Sequence, residues 1–122
     1  NEGFVDKGYM NIIRRAMLET VINERGTARS LQGLPVQVAA KTGTAQFQGS
    51  TLDHSWFIAF APYEKPEIAL AVLVEEGGSG AEAAAIVARD TLNWYFGGRP
   101  ESEPDESGED SSEVLETDTQ AD

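Results

Sequence analysis

Between residues 6 and 24 the apolar side chains Met10, Ile13, Met17 and Val21 recur at helical spacing, with charged and polar residues between them. Asp6 is placed to cap the first turn and Gly26 to stop the last. The pattern predicts one amphipathic helix, followed by a polar, glycine-containing loop to about Pro35. The period then drops to two. Val36, Val38 and Ala40 alternate with Gln37, Ala39 and Lys41, which predicts a half-buried strand over 36–44. Residues 46–53, with Gly49, Ser50 and Thr51, are a polar loop by composition. In the next segment, 54–61, Trp56, Ile58 and Phe60 share one face and Phe57, Ala59 and Ala61 the other. Both faces are apolar, as expected of a central strand. Pro62 to Pro66 makes a hairpin connection, and 68–74 is a third strand, again apolar on both sides. Gly77-Gly78-Ser79-Gly80 breaks it. Ser79 and Glu82 have capping-box spacing, and an Ala-rich helix is expected over 80–96, packing through Ala84, Val87, Ala88, Leu92 and Tyr95. Gly97-Gly98 ends it and Pro100 marks a boundary.

These elements define an α+β fold in which a three-strand antiparallel meander is packed by an N-terminal and a C-terminal helix. Length permits one modest domain, assigned here to residues 1–99. Residues 100–122 hold Glu, Asp, Ser, Thr and Gly with almost no large apolar side chains, which predicts a disordered acidic tail. The tail changes the meaning of the net charge of −12. It carries ten acids and no base, so eleven acids remain against nine bases elsewhere, a balance near −2. With no basic stripe beyond Arg14-Arg15, nucleic acid is not an expected partner. The chain has no cysteine, hence neither a disulfide framework nor a zinc-thiolate site, and nothing in it calls for a cofactor or metal. Apolar runs at 56–62 and 68–74 fall far short of the roughly 20 residues that span a bilayer. Asn1-Glu2-Gly3-Phe4-Val5 has no initiator Met and leads almost directly into the helical pattern, which suggests a cut inside a larger protein.

The candidate chemistry lies at Lys41-Thr42-Gly43-Thr44. A cation and two hydroxyls can hold a carboxylate, and a glycine lets another chain approach the backbone closely. The period of two puts Thr42 and Thr44 on the face opposite Lys41 and Gly43, so a ligand must meet this strand at its edge, through backbone groups as well as side chains.

Four stretches resemble the closing portion of the transpeptidase domain of penicillin-binding proteins. They are Gly26-Thr27-Ala28, then Ala39-Ala40-Lys41-Thr42-Gly43-Thr44-Ala45-Gln46, then the run from His54 to Pro62, and finally the run from Ile68 to Glu75. The resemblance covers most of residues 8–97. It is greatest to the class B, monofunctional, rod-shape type called penicillin-binding protein 2, and implies a partial penicillin-binding/serine β-lactamase-like fold. It further implies that Lys41 adds positive charge and a hydrogen bond to a motif serine, aiding proton transfer. Thr42 and Thr44 would bind the carboxylate of a donor peptide or a β-lactam, with Gly43 between them. The backbone N–H of Thr44 would supply one oxyanion donor. The implied partners are peptidoglycan stem peptides ending in D-Ala-D-Ala, β-lactams, the N-terminal remainder of the domain and proteins of the cell-wall elongation machinery. The implied location is the outer side of the cytoplasmic (inner) membrane.

The chain departs from the family pattern in lacking Ser-x-x-Lys. Ser30, Ser50, Ser55 and Ser79 have Gly33, Asp53, Ile58 and Glu82 three places on. Ser-x-Asn is absent too, so the nucleophile is expected upstream and the chain by itself inactive. Other readings stay open: a serine β-lactamase or D,D-carboxypeptidase piece, or a non-catalytic α/β module that binds an acidic peptide. Around the motif the plainer roles are preferred. His54 reads as a strand-start cap rather than a general base, Trp56 as core, Asp53 as a turn residue, Arg14-Arg15 as a solvated face and Gly77–Gly80 as strand termination rather than an anion cradle. Gln46 and Gln48 are near enough to the motif to touch a ligand.

Overall fold

A computed structural model describes residues 5–47, 49 and 51–97. The assigned tail, its boundary at 99/100, Gln48 and Ser50 lie outside them. Helix α1 spans Lys7–Ile22, and the Asp6 carboxylate accepts from the Gly8 N–H at 2.7 Å, satisfying one of the unpaired donors of the first turn. Its buried residues are Leu18 and Val21. Met10 and Ile13, expected to pack, are 40% and 47% exposed. The apolar stripe runs the length of the helix, but it packs on the first strand and the 3-10 turn Arg29–Leu31, and its buried residues Leu18 and Val21 both lie in its second half. Arg14 also departs from a solvated role. Its guanidinium lies 5.3 Å from the centroid of the Phe60 ring and 5.5 Å from that of Tyr63, and donates to the Tyr63 carbonyl at 2.6 Å. Arg15 does face solvent, in an ion pair with Glu19.

Three strands follow, β1 (Ala39–Ala45), β2 (His54–Ala61) and β3 (Ile68–Val74), antiparallel in the order β1-β2-β3. The expected central position of 54–61 holds. The first strand begins three residues later than its alternation suggests, and the partner strand explains why. Ala39 pairs with Phe60, so the register would next set Gln37 against Pro62, which has no N–H to donate. The Gln37 carbonyl accepts from Tyr63 N–H instead, at 2.8 Å.

One sheet face is the core. Val38, Ala40, Phe57, Ala59 and Ala61 meet Ala84, Ala85, Ala88 and Leu92 of helix α2 (Ala83–Gly97), with Val21 and Leu31 closing the side. Three alanines on the contact face let α2 lie close to the strands, and burying Phe57 alone contributes about 2–3 kcal/mol. Val87 and Tyr95, expected in this stripe, are exposed. Ala85 takes the inner position and Phe96 packs partly against the core. The opposite face leaves Trp56, Ile58 and Leu73 between 41% and 45% exposed, so Trp56 is not a core residue of this chain.

Helix α2 starts at Ala83, three residues after the expected start, and the Ser79–Glu82 capping box is not what holds its end. Glu82 N–H donates to the Ser79 carbonyl at 3.0 Å and Ala81 N–H to the Ser79 hydroxyl at 3.3 Å, which makes a turn before the helix. The cap comes from β2. Ser55, fully buried, accepts from Ala84 N–H at 3.1 Å and donates to the Ser79 carbonyl at 2.8 Å.

Candidate active-site edge

Strand β1 is an edge strand, and two contacts show how its backbone is turned. The Ala40 carbonyl accepts from the Thr20 hydroxyl at 2.6 Å, and the Thr42 carbonyl from Lys41 Nζ at 2.5 Å. Neither acceptor faces β2. In an antiparallel ladder the N–H and C=O of one residue point the same way and alternate along the chain. Thr44 therefore presents its N–H on the same open edge as Ala40 and Thr42. Lys41 and Gly43 turn their peptide groups toward Ile58 and Trp56 of β2.

The side chains divide as their parity requires. Lys41 and Gly43 stand on the face of Ile58 and Trp56, and Thr42 and Thr44 on that of Phe57 and Ser55. Lys41 and Thr44 are exposed, while Thr42 and Gly43 are partly covered. Glycine at 43 is explained by its partner, because a Cβ there would lie 3.2 Å from the Trp56 Cβ, tighter than ordinary contact. Each threonine is held from a different element. The Thr42 hydroxyl donates to that of Thr27 at 2.9 Å, in the turn after α1, and the Thr44 hydroxyl accepts from Gly80 N–H at 3.3 Å, in the loop before α2. The turn that carries Thr27 is itself closed on the helix, with Ala28 N–H donating to the Thr20 carbonyl at 2.9 Å. Gly26 sits where a Cβ would come within 2.1 Å of that same oxygen.

The remaining candidates fall apart from this edge. His54 pairs with Ala45 at the start of β2, and its Nδ1 accepts from Glu76 N–H at 3.0 Å, which ties the strand to the turn after β3. Its ring is 5.7 Å from that of Phe47, and both line an open hollow of about 430 Å³ with Glu75 and Glu76. Asp53 serves through its carbonyl, which accepts from Gly78 N–H at 2.9 Å. Gln46 is exposed beyond the end of β1. Among the described residues no cluster of three or more His, Cys, Asp or Glu could hold a metal ion, and no helix is long and apolar enough to cross a membrane. The edge can therefore offer an ammonium, hydroxyls and an outward N–H, a set of donors suited to an anionic ligand. Thr27, Ser55 and Gly80 are the supporting residues: the sequence names Thr27 only within Gly26-Thr27-Ala28 and Gly80 only as strand termination, and gives none of the three a part in holding the edge. A trace of Ser55 was there, as the one polar residue on the inner face of an otherwise apolar strand.

Comparison with known proteins places the fold in a family. The family described as "Penicillin binding protein transpeptidase domain" matches residues 1–93. The chain is 40% identical over 98 residues to the peptidoglycan D,D-transpeptidase MrdA of Acinetobacter baumannii, an alignment covering 69% of this chain and 14% of that protein. Among solved structures it superposes on penicillin-binding protein 2 of Helicobacter pylori in complex with MreC, with a TM-score of 0.64 and 32% identity, over 77% of this chain and 19% of that one. It is likewise similar to penicillin-binding protein A of M. tuberculosis in its imipenem acyl-enzyme complex, with a TM-score of 0.58 and 36% identity, over 70% and 18% of the two chains. The chain spans about a sixth of the length of the curated relatives it matches.

Proposed function

This chain belongs to the penicillin-binding-protein transpeptidase family, and from that premise we propose that it is the carboxylate-binding and oxyanion edge of a peptidoglycan D,D-transpeptidase whose nucleophile lies elsewhere in a longer protein. The observation that carries the reading is the placement of Lys41-Thr42-Gly43-Thr44 on an edge strand with the Thr44 peptide turned outward. In this reading the exposed Thr44 hydroxyl receives the terminal carboxylate of a D-Ala-D-Ala stem peptide, or the equivalent group of a β-lactam, and the Thr42 hydroxyl joins it by turning its proton from Thr27 to the ligand while the Thr27 hydroxyl donates to Thr42 in its place. Lys41 adds positive charge beside them and hydrogen-bonds a serine of the second motif.

The chemistry of the complete site is acyl transfer in two steps. A serine oxygen attacks the carbonyl carbon of the penultimate D-alanine and loses its proton to a neighbouring base. The carbonyl electrons move onto oxygen, where the Thr44 N–H donates to the oxyanion. The C–N bond then breaks, the leaving amine takes a proton, and terminal D-alanine departs. An amine of a second stem peptide attacks the ester, forms the cross-link and returns the serine. A β-lactam follows the first step, but its leaving amine stays tethered and the acyl-enzyme persists. The similarity to MrdA and to a penicillin-binding protein 2 held in complex with MreC supports a partner among the proteins of the cell-wall elongation machinery. In this reading the catalytic domain stands on the outer side of the cytoplasmic membrane.

Labelling with fluorescent penicillin tests the reading. The complete protein takes up covalent label that is lost when its motif serine is changed, and residues 1–122 alone take up none. Label on the isolated chain, or a complete protein that stays unlabelled, refutes it.

A further inference from the structure

Gly80 is buried, and its Cα rests on the backbone of two paired strands. A Cβ at this position would come 2.2 Å from the Gly43 carbonyl oxygen, 2.6 Å from the Trp56 carbonyl oxygen and 2.7 Å from the Gly43 nitrogen. These are backbone atoms of the paired strands β1 and β2, which cannot swing aside as a flexible side chain would. The loop that brings Gly80 there is pinned on both sides, by Gly78 N–H on the Asp53 carbonyl and by Ser55 holding the Ser79 carbonyl and Ala84 N–H. From that position Gly80 N–H donates to the Thr44 hydroxyl oxygen at 3.3 Å.

We propose that Gly80 is a positioning residue for the Thr44 hydroxyl, occupying its lone pair from behind so that its single proton is left to donate to the carboxylate of the substrate or β-lactam. The proposal rests on the reading of Thr44 given above. A hydroxyl has one proton and two acceptor sites. Unanchored, it can turn that proton to any nearby acceptor and meet a carboxylate with its lone pairs, which repel. With Gly80 N–H on the oxygen, the favourable rotor points the proton away from α2, toward the exposed side of Thr44. Only glycine permits this contact. Relieving a 2.2 Å approach requires the loop to move by about 1 Å, enough to take a 3.3 Å hydrogen bond out of range.

The test is acylation of the complete transpeptidase by benzylpenicillin and by its carboxyl methyl ester. Gly80→Ala is expected to slow acylation by the acid roughly ten-fold, in keeping with the weakening of one hydrogen bond to a charged group, and acylation by the ester about two-fold at most. Thr44→Val should show the same selectivity, and adding Gly80→Ala to it should cost nothing more. Thr44→Ser, which keeps the hydroxyl, should retain the preference for the acid. A folded Gly80→Ala protein in which acid and ester slow together, or neither slows, overturns the positioning role. If that variant does not fold, the Gly80 amide of the unaltered protein decides. Its nitrogen–proton signal should move on acylation by the acid in the Thr44 protein and stay in place in Thr44→Val; a signal that stays in place in both overturns the role. An unaltered protein that benzylpenicillin does not acylate refutes the function proposed above, and is thereby distinct from failure of the Gly80 contact alone.

Discussion

Replacing Ser55 by alanine removes one oxygen and no packing of consequence, yet it should loosen the start of α2. That oxygen is fully buried and bonded on both sides, accepting from Ala84 N–H at 3.1 Å and donating to the Ser79 carbonyl at 2.8 Å. The two losses are unequal. Ser79 is exposed, so water can replace the donor to its carbonyl at little cost. Ala84 is fully buried, and its N–H is among the first-turn donors that no helical carbonyl can satisfy. An unsatisfied buried donor costs about 1–3 kcal/mol, similar to the loss of an N-cap, so the opening free energy of this turn should fall by about 2 kcal/mol. That corresponds to roughly thirty-fold faster amide exchange wherever the turn opens by itself. Hydrogen exchange of the complete protein reads this directly. Ala84, Ala85 and Ile86 should exchange about thirty-fold faster in Ser55→Ala, while Leu92, two turns on, should be unchanged. Acceleration of under three-fold at Ala84 would refute the reasoning that Ser55 caps α2. Equal acceleration at Ala84 and Leu92 would show a general loss of stability instead of a lost cap.

Other substitutions test the remaining contacts. Lys41→Ala should lower the acylation rate of the complete protein on the order of 100-fold, the scale of a lost proton-transfer group, and leave its thermal midpoint unchanged; equal rates would remove Lys41 from the chemistry. Gly43→Ala should destabilise by about 1 kcal/mol through the 3.2 Å contact with the Trp56 Cβ, and Trp56→Gly on that background should recover part of the contact cost in a double-mutant cycle. Gly26→Ala should cost about 2–3 kcal/mol in denaturant unfolding, because its Cβ meets the Thr20 carbonyl and would break the 2.9 Å bond from Ala28 N–H. Arg14→Ala and Arg15→Ala form a matched pair: the first should lose about 1 kcal/mol with the Phe60 and Tyr63 stacking, and the second under about 0.5 kcal/mol with an exposed ion pair.

What a sequence discloses depends on how local the cause is. Short runs at 54–61 and 68–74, apolar on both faces and bounded by turn residues, located β2 and β3 because a strand inside a sheet shows apolar side chains to both sides. The start of β1 could not be found that way. It is set by Pro62 on another strand, which leaves Gln37 without a ladder partner. Helical spacing likewise located α1 and α2 but misjudged their buried faces. An apolar stripe says which side seeks cover, not how far the covering element reaches, and Met10, Ile13 and Val87 lie where it does not. The active edge separates in the same manner. Lys41-Thr42-Gly43-Thr44 is visible as four adjacent residues, and its parity follows from the strand. But parity also sends Thr42 and Thr44 to the inner face, where each needs an anchor that the strand itself cannot provide. Those anchors are Thr27, fifteen residues before Thr42, and Gly80, thirty-six residues after Thr44. The first is fixed by the closure of a turn on α1 and the second by a loop that Ser55 pins to β2. The motif thus supplies the groups that meet a ligand, while their orientation belongs to the helix–turn and loop–helix junctions on either side. A substitution at either junction should change how the edge binds an anion without touching any of its four residues.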